Sequence, residues 1–268
     1  MKSLDEFSIK DRQCIRCVLT DIDDTLTTDG RLTAEAYAAL EALQQHGLLV
    51  VAVTGRPAGW CDHIARMWPV DAVVGENGAF YFRYDERQRK LVRRFLLSTE
   101  ERAANRLRLD VLCAEILDQV PGTAVASDQQ YREADLAIDF CEDVAPLPWA
   151  EVERIVALFT AAGATAKISS IHVNGWFGTY DKLTMTRIMM EECFGLDLDR
   201  DKASCVFVGD SPNDAPMFAF FPHAVGVANL VQFEDRLDTR PTYVTDQPCG
   251  AGFSALAKAL IEARKNDV

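Results

Sequence analysis

Three short apolar segments of the chain each end where a polar residue begins. They are residues 15–20, 48–53 and 205–208. Their apolar residues follow one another without alternation, which is typical of strands buried on both faces of a parallel sheet. Asp21, Thr54 and Asp210 come at or just after the ends of these segments. Because ligands bind outside the carboxyl ends of parallel strands, we predict that these three side chains share one crevice.

Helical segments alternate with the predicted strands. Apolar residues in the segment 33–46 recur with helical spacing, and Gly47 follows as a stop signal. These apolar positions are Ala36, Tyr37, Leu40 and Leu43. Residues 181–194 and 251–263 repeat the pattern. Alternating strands and helices predict a doubly wound α/β core around a parallel sheet.

The middle of the chain has a different pattern. Residues 79–84 and 91–97 flank a charged turn and predict an antiparallel hairpin. Ser98 and Glu101 have the spacing of a capping box, which predicts the start of a long helix. Pro148 is predicted to start a second helix, because proline fits the first turn.

Further strand-like segments complete this region, at residues 134–140, 165–169 and 171–176. We find no internal repeat and no low-complexity linker, so the region reads as a packed domain rather than a tether. We therefore predict an α+β domain at residues 84–177, inserted into a core formed by residues 1–83 and 178–268.

Composition and charge narrow the classes of function. The chain has 268 residues, 49% of them hydrophobic, and a formal net charge of −13. Such an acidic surface repels nucleic acids and anionic membranes, so we expect neither as a partner. No apolar run approaches the ~20 residues of a membrane-spanning helix, and we expect a cytoplasmic protein. Any phosphate site must be locally positive, through a metal, a lysine or helix N-termini.

The eight cysteines are scattered through the chain. Most lie in apolar segments, which favours reduced thiols in a cytosolic protein. Cys14 and Cys17 form a C-x-x-C pattern, but no second pair or nearby histidine accompanies it. Redox or metal chemistry at this pair is therefore the minor alternative.

Asp21 and Asp23 lie directly after the first predicted strand. Hard cations such as Mg²⁺ take oxygen ligands, commonly one or two carboxylates with water and phosphate. An aspartate can also attack phosphorus, while a second carboxyl protonates the leaving oxygen and later deprotonates water. The pair therefore contains the groups for two-step phosphoryl transfer, although such a pattern alone is more often a solvated acidic turn.

The third predicted strand is also followed by side chains with oxygen atoms that could bind a hard cation, as Asp21 and Asp23 could. Asp210, Asn213 and Asp214 come after residues 205–208, and Pro212 fits the first turn of a helix. A helix N-cap would explain Asp210 but not the other two polar residues.

Thr54, Gly55 and Arg56 follow the strand at 48–53. A hydroxyl and free backbone N–H groups at a strand–helix junction can cradle a phosphate. Lys182 opens the helix after the insertion, where a cation opposes the helix dipole unless an anion lies nearby. An ordinary turn and a solvated surface lysine are the respective alternatives.

Together, these features resemble the haloacid dehalogenase superfamily. The segments VLTDIDDTL, VVAVTGRP, YDKLTM and VFVGDSPNDAPMF are similar to its four motifs, in order. The resemblance implies a Rossmann-like core and Mg²⁺ as cofactor. It also implies a phosphatase, because Asp23 supplies a second carboxylate that the dehalogenases of the superfamily lack. Asp24 stands where glycine is common in the family.

The resemblance implies a role for each motif residue. The implied catalytic residues are Asp21 as nucleophile, Asp23 as general acid and base, and Lys182 as the cation that neutralises nucleophile and phosphate. The implied substrate-binding residues of the core are Thr54, Gly55 and Arg56. The implied metal ligands are Asp21, Asp23 through its main-chain carbonyl, Asp210 and Asp214, with Asn213 in support.

The position of the insertion indicates which subclass of the superfamily the chain resembles. No domain fits between the first two motifs, whereas residues 84–177 separate the second from the third. This position and an αββαββ order resemble the C2B cap of subclass IIB, the Cof-like group that includes sugar-phosphate phosphatases. Such a cap would act as a lid and select the substrate. His172, Asn174 and Trp176 are its candidate substrate contacts, and residues simply packed at a hinge are the alternative.

We therefore predict a Mg²⁺-dependent phosphatase of a small phosphorylated metabolite, foremost a sugar phosphate, acting through an aspartyl phosphate. A phosphotransferase or phosphomutase shares the first half-reaction and is one alternative. A non-catalytic metabolite-binding protein on the same fold is another. We expect the protein to be a monomer or a homodimer.

Overall fold

The computed structural model describes residues 1–265, whose strands form three sheets. In chain order the strands are β1 Lys2–Ser3, β2 Cys17–Thr20, β3 Thr27–Thr28, β4 Arg31–Leu32, β5 Leu49–Val53, β6 Ala72–Gly75, β7 Phe80–Asp85, β8 Lys90–Phe95, β9 Ala124–Val125, β10 Leu136–Asp139, β11 Thr165–Ile168, β12 His172–Trp176, β13 Cys205–Gly209, β14 His223–Gly226 and β15 Tyr243–Val244.

The helices lie between these strands, and those outside the second unit described below pack on the two faces of the larger sheet. In chain order they are α1 Ile9–Cys14, α2 Ala34–Gln45, α3 Ala58–Met67, α4 Thr99–Gln119, α5 Trp149–Ala161, α6 Lys182–Phe194, α7 Leu198–Asp201, α8 Ala215–Phe220 and α9 Cys249–Lys265. Short 3₁₀ turns include Glu76–Gly78 and Pro212–Asp214, both of which border the site described below.

The main sheet has nine strands in the order β1-β15-β14-β13-β2-β5-β6-β7-β8. Its strands are parallel from β1 to β6, and β7 and β8 continue it antiparallel. The central strand β2 has β13 and β5 as its neighbours, and its residues are buried on both faces. The predicted α/β core with a parallel sheet is confirmed. The polar residues that end these three strands meet at one edge.

The second unit follows the main sheet in the order α4-β9-β10-α5-β11-β12. Its four strands pair antiparallel in the order β11-β12-β10-β9. Two helices cover one face of this sheet, and their apolar residues share a separate hydrophobic cluster with the strands. Members of this cluster include Leu112, Ile116, Val152, Ile155 and Phe159. This unit has the predicted αββαββ order, and we refer to residues 98–177 as the cap.

The predicted hairpin forms, but it belongs to the main sheet. β7 pairs with β6 and β8 pairs with β7, so residues 84–97, which the sequence assigned to the insertion, extend the core. Phe80 and Phe82 explain this, because both rings are buried and stack on each other at 4.4 Å between centroids. The helix at Ser98 begins with the predicted capping box.

Two smaller expectations turn out differently. Tyr37 was assigned to the apolar face of α2, but its side chain is 38% exposed. Cys14 and Cys17 lie in different elements, one exposed at the end of α1 and the other buried in β2, and all eight cysteines are free thiols. Among the described residues, no helix is long and apolar enough to cross a membrane.

Candidate active site

Lys182 lies between two carboxylates at the carboxyl edge of the main sheet. Its Nζ donates to Asp21 Oδ1 at 2.6 Å and to Asp214 Oδ1 at 2.7 Å. The side chain is 1% exposed. Burial lowers the pKa of Lys182, but Asp21 and Asp214 outweigh this effect and raise it above its ordinary value. The lysine is therefore a fixed positive charge beside Asp21 and not a solvated surface residue.

The backbone at Gly78 lets α6 approach close enough to place Lys182. Gly78 has φ = +107°, and a Cβ atom built on it would lie 2.0 Å from the carbonyl oxygen of Asp181. Asp181 is the N-cap of α6, where its side chain accepts from the backbone N–H of Thr184. Only glycine combines this φ with this approach, so the position fixes the start of the helix that carries the lysine.

Asp21, Asp210 and Asp214 form a buried carboxylate cluster. Each offers an oxygen that lies within 4.8 Å of the others. Asp214 Oδ2 accepts from the backbone N–H groups of Asp210 and Ser211, so this residue is already engaged on both oxygens. Burial raises the pKa of Asp21 to about 8, and burial with the nearby Asp21 and Asp214 raises that of Asp210. For all three carboxylates to be ionised at neutral pH, the cluster needs more positive charge nearby than Lys182 alone supplies.

This donor set fits a hard divalent cation. Mg²⁺ prefers oxygen ligands and usually takes one or two carboxylates, with water or phosphate filling the other positions. The oxygens without close donors belong to Asp21 and Asp210, since Asp210 receives only long contacts of 3.4 Å from Thr25 and Asn229. The structure thus brings three of the four predicted metal ligands together.

Asp23 faces the cap rather than this cluster. Its two carboxylate oxygens accept from Arg56 Nε at 2.9 and 3.0 Å. Asp24 next to it adopts φ = 54°, the left-handed conformation that glycine adopts most easily and aspartate tolerates. This explains how an aspartate occupies a position where glycine is common.

Arg56 does not present a free guanidinium to a phosphate. Besides Asp23 it binds Asp128 at 3.3 Å and Glu142 at 2.7 Å, both from the cap, and it is 4% exposed. The prediction that Arg56 binds substrate stays a prediction, since its guanidinium lines the cavity but is already paired with three carboxylates.

Thr54 and Gly55 form the turn between β5 and α3. Thr54 is buried, and its hydroxyl accepts from the backbone N–H of Arg56 at 3.0 Å. The carbonyl of Gly55 accepts from Arg132 of the cap at 2.8 Å. A Cβ at Gly55 would meet the amide of Asn77 at 3.1 Å, so the turn is closely packed.

Asn213 connects the last motif to the same turn. Its Nδ2 donates to Asn77 Oδ1 at 3.3 Å, and its Oδ1 accepts from the Ser211 hydroxyl at 2.9 Å. Asn77 Nδ2 is buried without a hydrogen-bond partner. A buried amide donor next to the Thr54 turn is suited to an anionic ligand.

The cap candidates have three different surroundings. His172 Nε2 lies 2.9 Å from Glu142 Oε2, and Asn174 Nδ2 donates to Asp135 Oδ2 at 2.9 Å. Both residues line the cavity over Asp21 and Asp23. Trp176 is fully buried, stacks on Tyr180 at 5.5 Å and does not line this cavity, which favours the alternative of a residue packed at a hinge. It sits at the end of β12, where the chain returns to the core.

The cap closes over the site. The cavity between cap and core has a volume of about 10 Å³, which is room for one water molecule. Its lining from the core includes Asp21, Asp23 and Asn213, and its lining from the cap includes His172 and Asn174. A phosphate ester does not fit this cavity as it stands.

Sequence reasoning missed the groups that join cap to core. Glu76, fully buried, accepts from the backbone N–H groups of Ala58 in the core and of residues 133–135 in the cap. Arg132, also buried, binds Asp128 and Asp135 and reaches the Gly55 carbonyl. Burial and the charge of Asp135 raise the pKa of Glu76 to about 7. The segment GENGAFYF, which contains Glu76, resembles the segment that leads into the cap in the Cof-like group, but no spacing in the sequence reveals the buried partners of Glu76 and Arg132, because these are remote in sequence.

The sequence of this chain is similar to those of known proteins. A family profile described as haloacid dehalogenase-like hydrolase matches residues 18–103. A phosphoglycolate phosphatase of Haloarcula marismortui is 26% identical over 242 residues, which cover 88% of this chain and 93% of that protein.

Solved structures extend the likeness over core and cap. The structure of a Thermoplasma acidophilum protein superposes with a TM-score of 0.68 at 20% identity, covering 93% of this chain and 99% of that one. A subclass IIB sugar phosphatase of the haloacid dehalogenase superfamily superposes with a TM-score of 0.58 at 13% identity, covering 94% and 98%.

Proposed function

We propose that this chain is a haloacid dehalogenase-like hydrolase and acts as a Mg²⁺-dependent phosphatase of a small phosphomonoester, foremost a sugar phosphate. The observation that carries the proposal is the contact of Lys182 with both Asp21 and Asp214, beside Asp210 and under a closed cap. This arrangement places one nucleophile candidate, one fixed cation and a second free carboxylate in a site that is closed off from bulk solvent.

Asp21 is the proposed nucleophile. Its free carboxylate oxygen attacks phosphorus, a P–O bond forms to Asp21, and the bond to the leaving oxygen breaks. Asp23 gives its proton to that leaving oxygen. In the second step Asp23 takes a proton from water, whose oxygen attacks the aspartyl phosphate and releases inorganic phosphate and the free Asp21 carboxylate. Lys182 offsets negative charge on Asp21 and the phosphoryl oxygens throughout.

The proposed metal ligands are the carboxylates of Asp21 and Asp210, with Asp214 orienting Lys182 and the turn after β13. The main-chain carbonyl of Asp23 is the further ligand that the family resemblance implies. When bound, Mg²⁺ supplies positive charge that neutralises phosphoryl oxygens. Thr54, the backbone of Gly55 and the buried amide of Asn77 are the proposed phosphate contacts of the protein itself.

A sugar phosphate is favoured by the polar lining of the cap. His172, Asn174 and the serines at 169 and 170 line the cavity and can exchange hydrogen bonds with hydroxyl groups. Carboxylates are frequent next to this lining, since Asp135 holds Asn174 and Glu142 lies beside His172. Asp135 and Glu142 are themselves paired with Arg132 and Arg56, so the groups able to bind hydroxyls, rather than the charge of the lining, favour a sugar phosphate.

A panel of phosphate esters with Mg²⁺ tests the proposed function. We expect release of inorganic phosphate from one or more sugar phosphates, and its loss when a chelator removes the metal. Product analysis separates the alternatives, because a phosphomutase yields an isomeric phosphosugar instead of free phosphate. Negligible turnover of every ester in the panel would contradict a phosphatase and favour a binding protein.

Metal binding is expected to stabilise the protein more at high than at low pH. Because the folded-state pKa of Asp21 is raised to about 8, the metal-free folded protein holds a proton that the unfolded chain releases above about pH 4. Stability of the metal-free protein therefore falls as the pH rises from about 4 through 8. Mg²⁺ compensates for the lost proton, so its effect on the melting temperature should be larger at about pH 8 than at about pH 5.5.

The variant Asp210→Asn is the control for this measurement. It removes one proposed ligand and one buried charge, so the stabilisation by Mg²⁺ should shrink at every pH. An equal rise in melting temperature at both pH values, unchanged in Asp210→Asn, would contradict a metal site in this cluster.

A further inference from the structure

Arg56 is the one residue of the Thr54 turn that binds both the proposed acid/base residue and the cap. Its Nε donates to both oxygens of Asp23, its Nη1 to Asp128 and its Nη2 to Glu142. Asp23 belongs to the core, whereas the other two carboxylates belong to the cap. The guanidinium therefore bridges the two units at the point where they meet over the site.

The cap carboxylates are held in place by further contacts. Asp139 at the end of β10 accepts from the backbone N–H groups of residues 141–143, which orders the loop that carries Glu142. His172 contacts the other oxygen of Glu142. Burial raises the pKa of Glu142, but hydrogen bonds from His172 and Arg56 outweigh it and lower the pKa to about 2. Glu142 is therefore an ionised, fixed partner for Arg56.

The plane of the guanidinium is fixed as well. Arg56 Cζ lies 4.3 Å from the centroid of the Trp60 ring, which stacks on it from α3. Asp128 is in turn bound by Arg132, whose Nη1 reaches the Gly55 carbonyl next to Arg56. Each nitrogen of the Arg56 head group thus has a carboxylate partner, and Trp60 covers one face of its plane.

We propose that Arg56 is a positioning residue that orients the Asp23 carboxyl for proton transfer, and that Glu142 and Asp128 set the position of Arg56 only when the cap is closed. Closure of the cap therefore also places the Asp23 carboxyl for proton transfer. The effect on catalysis rests on the proposed phosphatase function. The positioning role replaces the role of phosphate ligand that the sequence assigned to Arg56.

The leaving group of the substrate provides the test. p-Nitrophenyl phosphate releases a stable anion that needs little protonation, whereas glycerol 3-phosphate releases an alkoxide that needs a general acid. We expect Arg56→Lys to lower kcat for glycerol 3-phosphate about 10²-fold and for p-nitrophenyl phosphate less than about 10-fold, with KM little changed. Glu142→Gln should also lower kcat more for glycerol 3-phosphate than for p-nitrophenyl phosphate, but by a smaller factor than Arg56→Lys.

The variant Asp23→Asn tests whether Arg56 acts through Asp23. If it does, adding Arg56→Lys to Asp23→Asn should lower kcat for glycerol 3-phosphate little further, because residues acting as a unit are non-additive. The control is Arg66→Lys, whose partner Asp62 lies on the outer face of α3 and which should leave both substrates unaffected. Equal losses on both substrates with a large rise in KM would overturn the proposal and return Arg56 to the role of phosphate ligand.

Thermal stability tests the bridge without any turnover. The melting-temperature losses of Arg56→Lys and Glu142→Gln should sum to more than the loss of the double variant, because the two side chains are in contact. Arg66→Lys combined with Glu142→Gln should be additive. The phosphatase proposal fails if the wild type hydrolyses no ester of the panel, whereas additivity of the Arg56 and Glu142 variants would overturn the bridge whatever the activity.

Discussion

The variant Asp21→Asn is expected to lose at least about 10⁴-fold in kcat toward every phosphate ester that the wild type hydrolyses. The amide cannot attack phosphorus at a useful rate. Among the described residues, Asp21 is also the only carboxylate that both contacts Lys182 and keeps one oxygen without a hydrogen-bond donor. The loss should be similar for activated and unactivated esters, because the nucleophile serves both. Phosphate release under saturating Mg²⁺ measures it.

The fold should survive this change. Burial disfavours the ionised form of Asp21, as its pKa of about 8 shows, so a neutral amide in its place relieves repulsion within the cluster. The metal-free melting temperature at about pH 8 should therefore be unchanged or higher than that of the wild type. Asp199→Asn, at an exposed carboxylate paired with Arg187, is the matched control with full activity expected. Turnover by Asp21→Asn within 10-fold of the wild type would contradict the mechanism.

The variant Lys182→Met is expected to lose both activity and stability. Methionine fills a similar volume, but the change leaves Asp21, Asp214 and Asp210 buried without a side-chain cation. Removing one partner from a buried ion pair costs about 3–5 kcal/mol. Loss of the charge beside the phosphoryl oxygens should lower kcat about 10²- to 10³-fold. Urea denaturation and steady-state kinetics measure the two effects.

Lys258→Met provides the comparison, because Lys258 is exposed and pairs with Glu262 one turn away on α9. Its free energy of unfolding should change by at most about 0.5 kcal/mol. Mg²⁺ should restore part of the stability of Lys182→Met, since the ion shares the same carboxylates, but little of its activity. A Lys182→Met protein as stable as the Lys258→Met protein without metal would show that the cluster does not depend on the lysine.

The core and its motif residues were predictable because each follows from local pattern. Continuous apolar runs specify strands buried on both faces, and the residue that ends such a strand must lie at the carboxyl edge of the sheet. Asp21, Asp210 and Lys182 meet as the sequence predicts. The hairpin itself was also predictable. The sheet that it joins was not, because the pairing of β7 with β6 depends on the packing of Phe80 and Phe82 in the core.

The contacts between cap and core were beyond sequence reasoning for a physical reason. Arg56 lies 72 and 86 positions from its cap partners Asp128 and Glu142, and Glu76 lies 57 to 59 positions from the cap backbone that it binds. A buried ion pair has no periodicity and uses residue types that are usually solvated. Trp176 illustrates the converse, since an aromatic residue near the site is buried in the core rather than exposed to substrate.

The cavity of about 10 Å³ over Asp21 has a consequence for affinity. Since a phosphate ester does not fit this cavity, we expect substrate to bind only molecules whose cap is open, and the observed dissociation constant then equals the intrinsic one divided by the open fraction. Every hydrogen bond that holds the cap down, including that from Arg132 to the Gly55 carbonyl, therefore weakens apparent affinity while it strengthens closure. The contacts that complete the site thus lower the fraction of molecules that hold substrate at a given concentration. Substitutions at the cap–core contact can therefore change the substrate concentration needed for half-occupancy without altering a motif residue.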